Sequence, residues 1–358
     1  MNRYERPTLR AMTGYSFGEQ PKAQSVIKLN TNENPYAPSP AVAEALGAFN
    51  VATLRRYPSP FAEGFRAAAA ALHGLEPDWV MATNGGDELL RLLITTYLEP
   101  GQPLATTDPS YSLYPVLAAV QDCPTVSFPL DDAFGLPEDL GAQAEAAGAG
   151  IFCLVNPHAP TGRLFSSEAI EGVLAQFSGV VLIDQAYVDF IDEGEKAAAL
   201  AMLKRHDRVL LLRTLSKGYA LAGLRFGYGL AQPSLIEPML TKTRDSYNVD
   251  AIAQALATAA LEDQAWAYDN WAKVRRERAL LAAALAQRGF TVPPSQTNFL
   301  FPIVPAPFEA GALKEALKAE NILVRHFPGA LGDRLRITVG TAEENAALLA
   351  AIDRAACP

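Results

Sequence analysis

The stretch RVLLLRTLSKGYALAGLRFGYG, from Arg208 to Gly229, decides how this chain is read. Its first five residues, Arg208 to Leu212, have the continuous apolar character of a short buried strand, so Thr214, Ser216 and Lys217 emerge where that strand ends. Arg225 follows after the small, bendable pair Ala222 and Gly223. A lysine amine that can condense with an aldehyde, beside two hydroxyls and a guanidinium that can hold a phosphate dianion, suits a Schiff-base site for pyridoxal 5'-phosphate. A serine–lysine pair alone is more often a solvated surface turn, so the reading depends on what the rest of the chain supplies.

Working outward, short apolar runs at Pro103 to Thr106, Gly150 to Val155, Val180 to Ile183 and Val209 to Leu212 alternate with alanine-rich helical patterns such as Phe61 to Leu72 and Arg276 to Gln287. The runs are continuous rather than alternating in polarity, as a sheet covered on both faces demands. The expected fold class is therefore α/β, with a large domain of mostly parallel sheet covered by helices. After about Asp250 the pattern passes to long helices and then to the strand-like runs Asn298 to Phe301 and Leu335 to Val339, a smaller α+β unit. The expected division is a large cofactor-binding domain over 36–250 and a small domain built from 1–35 and 251–358. The proline-rich segments Asn34 to Pro40 and Pro302 to Pro307 are places for the chain to change direction.

At 358 residues, 49% of them hydrophobic, the chain can bury one large core and a second smaller one. Its net charge of -9 argues against nucleic acid or an anionic membrane as partner, since both need a basic face. Small-molecule substrates are expected instead. Cys123, Cys153 and Cys357 and the scattered histidines show no metal-ligand spacing, so no metal is expected. The N-terminal segment has no apolar core of the signal-peptide kind and no run approaches membrane-spanning length, which makes the cytoplasm the expected location. The chain also lacks the GxGxxG and phosphate-loop patterns of nucleotide-binding proteins, the GxSxG of hydrolases and the HExxH of zinc proteases.

In open parallel sheets, ligands collect beyond the carboxyl ends of the strands. Here those ends carry Asp108-Pro109-Ser110-Tyr111, Asn156 to Gly162, Asp184 to Tyr187, and Ser216-Lys217. Asp184 suits the carboxylate that keeps a pyridine nitrogen protonated. Tyr187 and Asn156 can hydrogen-bond the ring's phenolic oxygen, and Tyr111 can stack on its face. Taken singly, Asp184 reads as a turn residue, Asn156 as a turn residue before proline, and both tyrosines as packing aromatics. The run Asn84-Gly85-Gly86-Asp87-Glu88 leads into a helical pattern, where free N–H groups and the helix dipole favour a phosphate. An ordinary N-cap is the competing reading, and the two can coexist.

Taken in order, these segments cover nearly the whole chain: KLNTNENPYAPSP from Lys28, RYPSP from Arg56, NGGDE from Asn84, DPSYSLYP from Asp108, NPHAPTG from Asn156, LIDQAY from Leu182, RTLSKGYALAGLRFGY from Arg213, YNVDAIAQ from Tyr247, SQTNFLF from Ser295 and LRITVGT from Leu335. Together they resemble the fold type I pyridoxal 5'-phosphate aminotransferases, and specifically the histidinol-phosphate aminotransferase family. The resemblance implies that Lys217 is the Schiff-base lysine, Asp184 the pyridinium partner, and Asn156 and Tyr187 the partners of the phenolic oxygen. It makes Tyr111 the stacking residue and Gly85, Gly86, Asp87, Thr214, Ser216 and Arg225 the phosphate cup. It gives Arg336 the substrate anion, Arg325 and Tyr15 the substrate phosphate, and Asn34 a substrate contact. Tyr57 is implied to reach into a neighbouring subunit's site, touching cofactor and substrate there, which makes the expected assembly a homodimer with shared active sites.

The implied reaction moves an amino group between L-histidinol phosphate, a phosphorylated amino alcohol, and 2-oxoglutarate, giving glutamate, in histidine biosynthesis. An aromatic amino acid aminotransferase and a threonine-phosphate decarboxylase of similar sequence remain alternatives, as does a non-catalytic aminotransferase-like regulatory domain. His158, Gln185 and Ala37 depart from the family's usual asparagine, glutamate and glycine. These departures bear on substrate preference more than on reaction type.

Overall fold

The computed structural model describes residues 4–21, 25–192 and 195–356. Among them the strands, in chain order, are β1 (Ile27–Lys28), β2 (Val80–Thr83), β3 (Leu104–Asp108), β4 (Thr125–Pro129), β5 (Ile151–Val155), β6 (Val180–Asp184), β7 (Val209–Thr214), β8 (Gly227–Ala231), β9 (Phe299–Leu300), β10 (Ile322–Leu323), β11 (Arg325–His326) and β12 (Leu335–Thr338). Seven of these form one sheet in the order β2-β8-β7-β6-β5-β3-β4. All neighbours in it are parallel except at β8, which runs antiparallel to both β2 and β7. Every residue of β5 and β7 is buried, which is why these segments are apolar without alternation.

The strands run one or two residues further than their apolar runs. Asp184 is the last residue of β6 and Thr214 the last of β7, so each is held by the sheet rather than by a turn. The glycines of β8 have a packing reason. A Cβ on Gly227 would come 2.8 Å from the Gly85 carbonyl carbon, and one on Gly229 would come 3.0 Å from Leu89 Cδ1. The helix Gly86–Tyr97 can therefore lie close on the sheet, burying Leu89, Leu90, Leu92, Leu93 and Ile94.

A second apolar cluster joins Leu29 to residues between Leu281 and Ile352. Its framework is the parallel pair β1-β10, which brings the two ends of the chain together, and the antiparallel sheet β11-β12-β9. The helix Ala251–Glu262 packs into the larger core, while the helix Gln264–Gln287 gives Trp271 and Val274 to the larger core and Leu281 and Leu285 to the smaller. Among the described residues, no helix is long and apolar enough to cross a membrane, and no cluster of His, Cys, Asp and Glu could hold a metal ion. Cys123 and Cys153 are buried free thiols; Cys357 lies outside the described residues.

Candidate active site

A cavity of about 560 Å³ opens at the carboxyl ends of the parallel strands, against β11 and β12. From β7 come Thr214, Ser216 and Lys217. The Thr214 hydroxyl donates to Ser216 Oγ at 3.0 Å and accepts from the Ser216 N–H at 3.1 Å, which holds the two hydroxyls together. Lys217 Nζ donates to the Thr31 carbonyl at 3.0 Å. Burial, helped by the Arg336 cation, pulls its pKa down to about 8.

At the end of β6, Asp184 accepts from the Tyr114 hydroxyl at 2.9 Å and from the Ala186 N–H at 3.0 Å. Burial pushes its pKa up to about 6 even so. The Tyr187 hydroxyl accepts from Asn32 Nδ2 at 2.9 Å, and burial raises its pKa. Tyr111 meets Tyr15 at 6.0 Å on the cavity wall and is backed edge-on by the buried Tyr114 at 5.5 Å between ring centroids.

Gly86 and Asp87 open the helix beside β2, and both line the cavity. Gly85 precedes them at φ +77°, and a Cβ there would lie 2.8 Å from Arg225 Nη2. Only glycine admits both that dihedral and the guanidinium. Arg225 Nη2 sits 3.4 Å from Asp87 Oδ2 and Nη1 donates to the Ala222 carbonyl at 3.3 Å, both long contacts that an anion could displace. On the opposite wall, Arg336 Nη2 donates to the Asn30 carbonyl at 3.1 Å, while its Nε is buried with no partner. Arg325 and Arg336 are direct cross-strand partners, and among the described residues neither has a carboxylate partner.

Most of the residues singled out in the sequence therefore meet in one cavity: Tyr15, Gly86, Asp87, Tyr111, Asp184, Tyr187, Thr214, Ser216, Lys217, Arg225, Arg325 and Arg336. Four do not line it. Gly85 acts just behind, through its backbone. Asn156 has both ends of its amide on the Phe165 main chain, at 3.1 and 2.8 Å. Tyr57 is 79% exposed and stacks on Tyr247 at 4.4 Å. Asn34, expected on substrate, instead donates to the carbonyls of Lys217 at 3.0 Å and Gly218 at 3.3 Å, and to Asn270 Oδ1 at 2.8 Å. It braces the turn that carries the lysine.

Sequence reasoning missed Asn32, which takes the cavity position in the same segment, and Tyr114, which holds Asp184. Their one signal was membership of the KLNTNENPYAPSP and DPSYSLYP segments, which does not say which side chain faces inward. Gln185 is buried but does not line the cavity, as strand alternation after Asp184 requires.

The residues present fit pyridoxal 5'-phosphate. A buried carboxylate, a depressed lysine, paired hydroxyls and a glycine cradled against a guanidinium surround a space of ligand size. Comparison with known proteins agrees. The family aminotransferase class I and II matches residues 24–352. The chain is 43% identical over 355 residues to histidinol-phosphate aminotransferase 1 of Nostoc sp., covering 98% of each. It is 43% identical over 357 residues to histidinol-phosphate aminotransferase 2 of Thiobacillus denitrificans, covering 98% of this chain and 97% of that one. The structure of histidinol-phosphate aminotransferase from Sinorhizobium meliloti in complex with pyridoxal-5'-phosphate shares the fold, with a TM-score of 0.88 at 23% identity over 99% of this chain and 97% of that one. The chain thus belongs to the class I and II aminotransferases and, among them, to the histidinol-phosphate aminotransferase family of pyridoxal 5'-phosphate-dependent enzymes.

Proposed function

We propose that this enzyme moves an amino group between L-histidinol phosphate and 2-oxoglutarate, a step of histidine biosynthesis. The observation that carries the substrate side is the pair Arg325 and Arg336, two cations facing each other across β11 and β12 at the cavity wall. Like charges directly opposite on a sheet are unfavourable, and an anion between them relieves the cost. Histidinol phosphate presents a phosphate and glutamate a carboxylate, and a guanidinium fork pairs with either. The names of the relatives support the same choice.

Gly85, Gly86, Asp87, Thr214, Ser216 and Arg225 would hold the cofactor phosphate, Asp184 its ring nitrogen, and Tyr187 its phenolic oxygen. Asn156 has one amide hydrogen left for that oxygen after its bond to Phe165. Lys217 would anchor the aldehyde, with Tyr111 over the ring. When bound, the cofactor supplies an electron sink that acidifies the substrate's Cα–H. Lys217 Nζ, which burial keeps from holding its proton tightly, would be the group that takes up and gives back that proton. The Thr31 carbonyl, which accepts from the free amine, would hold it at the cavity wall.

The exposed Tyr57, stacked on Tyr247, supports a homodimer in which Tyr57 reaches the neighbouring site. A working division into 36–250 and a lobe from 1–35 with 251–358 is supported by the second core, although residues 251–274 also pack on the first. The cytoplasm is the proposed location. Mixing the purified loaded protein with L-histidinol phosphate, phenylalanine or threonine phosphate under single-turnover conditions tests the assignment. Fast bleaching of the yellow absorbance with histidinol phosphate, recovered by 2-oxoglutarate, is expected. Faster conversion of phenylalanine, or CO2 release from threonine phosphate, contradicts it.

A further inference from the structure

His158 ties together two segments that line the cavity while lying outside the cavity itself. It is fully buried, with Nε2 3.0 Å from the Pro109 carbonyl and Nδ1 2.8 Å from the Thr161 hydroxyl. A carbonyl oxygen only accepts, so Nε2 carries the hydrogen and Nδ1 accepts from Thr161. Burial keeps the imidazole neutral, its pKa pushed down to about 4, as this pattern of one donor and one acceptor requires. The Pro109 carbonyl also accepts from the Thr107 hydroxyl at 3.0 Å, which fixes its direction.

Both sides of this tie matter to the site. Pro109, Ser110 and Tyr111 line the cavity on one side, and Ala159 and Pro160 on the other. His158 is itself clamped, its N–H donating to the Arg163 carbonyl at 2.7 Å and its carbonyl accepting from the Gly162 N–H at 2.8 Å. Gly162, at φ +81°, accepts in turn from the Gln296 N–H at 2.8 Å, and a Cβ on it would come 2.6 Å from Ser295 Oγ. An unbroken set of contacts thus runs from Ser295-Gln296, through Gly162 and His158, to the segment that carries Tyr111.

We infer that His158 is a positioning residue for Tyr111: its Nε2–H, bound to the Pro109 carbonyl, sets where the tyrosine ring lies over the cofactor. This rests on the cofactor reading above. Tyr111 touches the cofactor ring, and His158 acts through the Pro109 main chain.

Two substitutions separate this role from a merely structural one. The amide nitrogen of glutamine reaches where Nε2 stands, and that of asparagine only where Nδ1 stands. Both leave a buried polar side chain of similar cost. The wild-type holoenzyme, His158→Gln and His158→Asn are compared by thermal melting, by the rate of cofactor release, and by visible circular dichroism of the bound cofactor. His158→Gln should release cofactor within about twofold of wild type, whereas His158→Asn should release it roughly tenfold faster, the size of one lost hydrogen bond, with an altered dichroic band.

Equal release and dichroism in all three proteins overturn the inference, as does an equal change in both variants that simply follows their melting temperatures. Should neither variant fold, Thr161→Val, which removes the donor to Nδ1 and with it the second bond that orients the ring toward the Pro109 carbonyl, is expected to change the dichroic band. An unchanged band there overturns the inference. A wild-type protein that binds no pyridoxal 5'-phosphate overturns the cofactor reading, and this inference with it.

Discussion

The hydroxyl of Tyr114 donates to Oδ2 of Asp184 at 2.9 Å, with both groups buried. Tyr111, three residues earlier, faces the cavity, so a single segment after β3 supplies both a ring on the cavity wall and the phenol that steadies the Asp184 carboxylate. A buried carboxylate needs such donors to stay ionised, and Asp184 has two.

Tyr114→Phe removes one of them without changing the shape of the core. The Asp184 anion is then less favoured and pairs less well with a protonated ring nitrogen. Cofactor affinity should fall by roughly tenfold, as for one hydrogen bond to a charged group. Fluorescence titration of the cofactor-free protein measures this, and an unchanged Kd contradicts it.

Without cofactor, burial raises Asp184 from 3.8 to about 6, against the hydrogen bonds from Tyr114 and Ala186. Between those values the folded chain keeps a proton that the unfolded chain has released. Its contribution to stability is therefore intact below the lower value and lost as pH rises through the window. The loss amounts to at most about 3 kcal/mol. Asp184→Asn should flatten this part of the curve, which urea unfolding of the cofactor-free proteins between about pH 4 and 7 reads directly. Identical slopes in the two proteins count against the account.

Arg325 and Arg336 repel each other until an anion lies between them. Arg336→Gln should lower kcat/KM for both half-reactions by roughly 100-fold or more, the loss of a charge-assisted fork. Arg325→Gln should weaken the phosphate substrate more than glutamate while leaving the substrate-free protein at least as stable as wild type. Steady-state kinetics with each substrate, together with melting curves, check this. A clear loss of stability in Arg325→Gln would show that the pair is structural.

Asn32 and Asn34 have separate jobs despite their spacing. Asn34→Ala takes the donor from the buried Asn270 Oδ1 and one of two donors from the Lys217 and Gly218 carbonyls, and should cost about 1–3 kcal/mol in unfolding. Asn32→Ala frees the Tyr187 hydroxyl and should instead shift the pH dependence of the bound cofactor's absorbance. The same effect from both substitutions contradicts this division.

Strand ends were legible because β5, β6 and β7 are buried on both faces and carry polar residues just where they stop. By contrast, β8 is hidden inside the lysine motif, since its GYGLA sequence reads as a flexible loop until the close approach of Gly85 and Leu89 explains both glycines. Most of the cavity residues could be read from local motifs because they lie at or just beyond strand ends. Asn34 could not, because which of two nearby asparagines faces the cavity depends on Asn32 adopting φ +57°. Nor could the opposition of Arg325 and Arg336, which the antiparallel register of β11 and β12 sets.

Borohydride reduction of the loaded protein, followed by peptide mapping by mass spectrometry, tests the central claim most directly, because it fixes the cofactor to whichever lysine carries it. One label per chain is expected, on the peptide containing Lys217, and none in Lys217→Ala. Labelling of a different lysine, or an undiminished label in that variant, contradicts it.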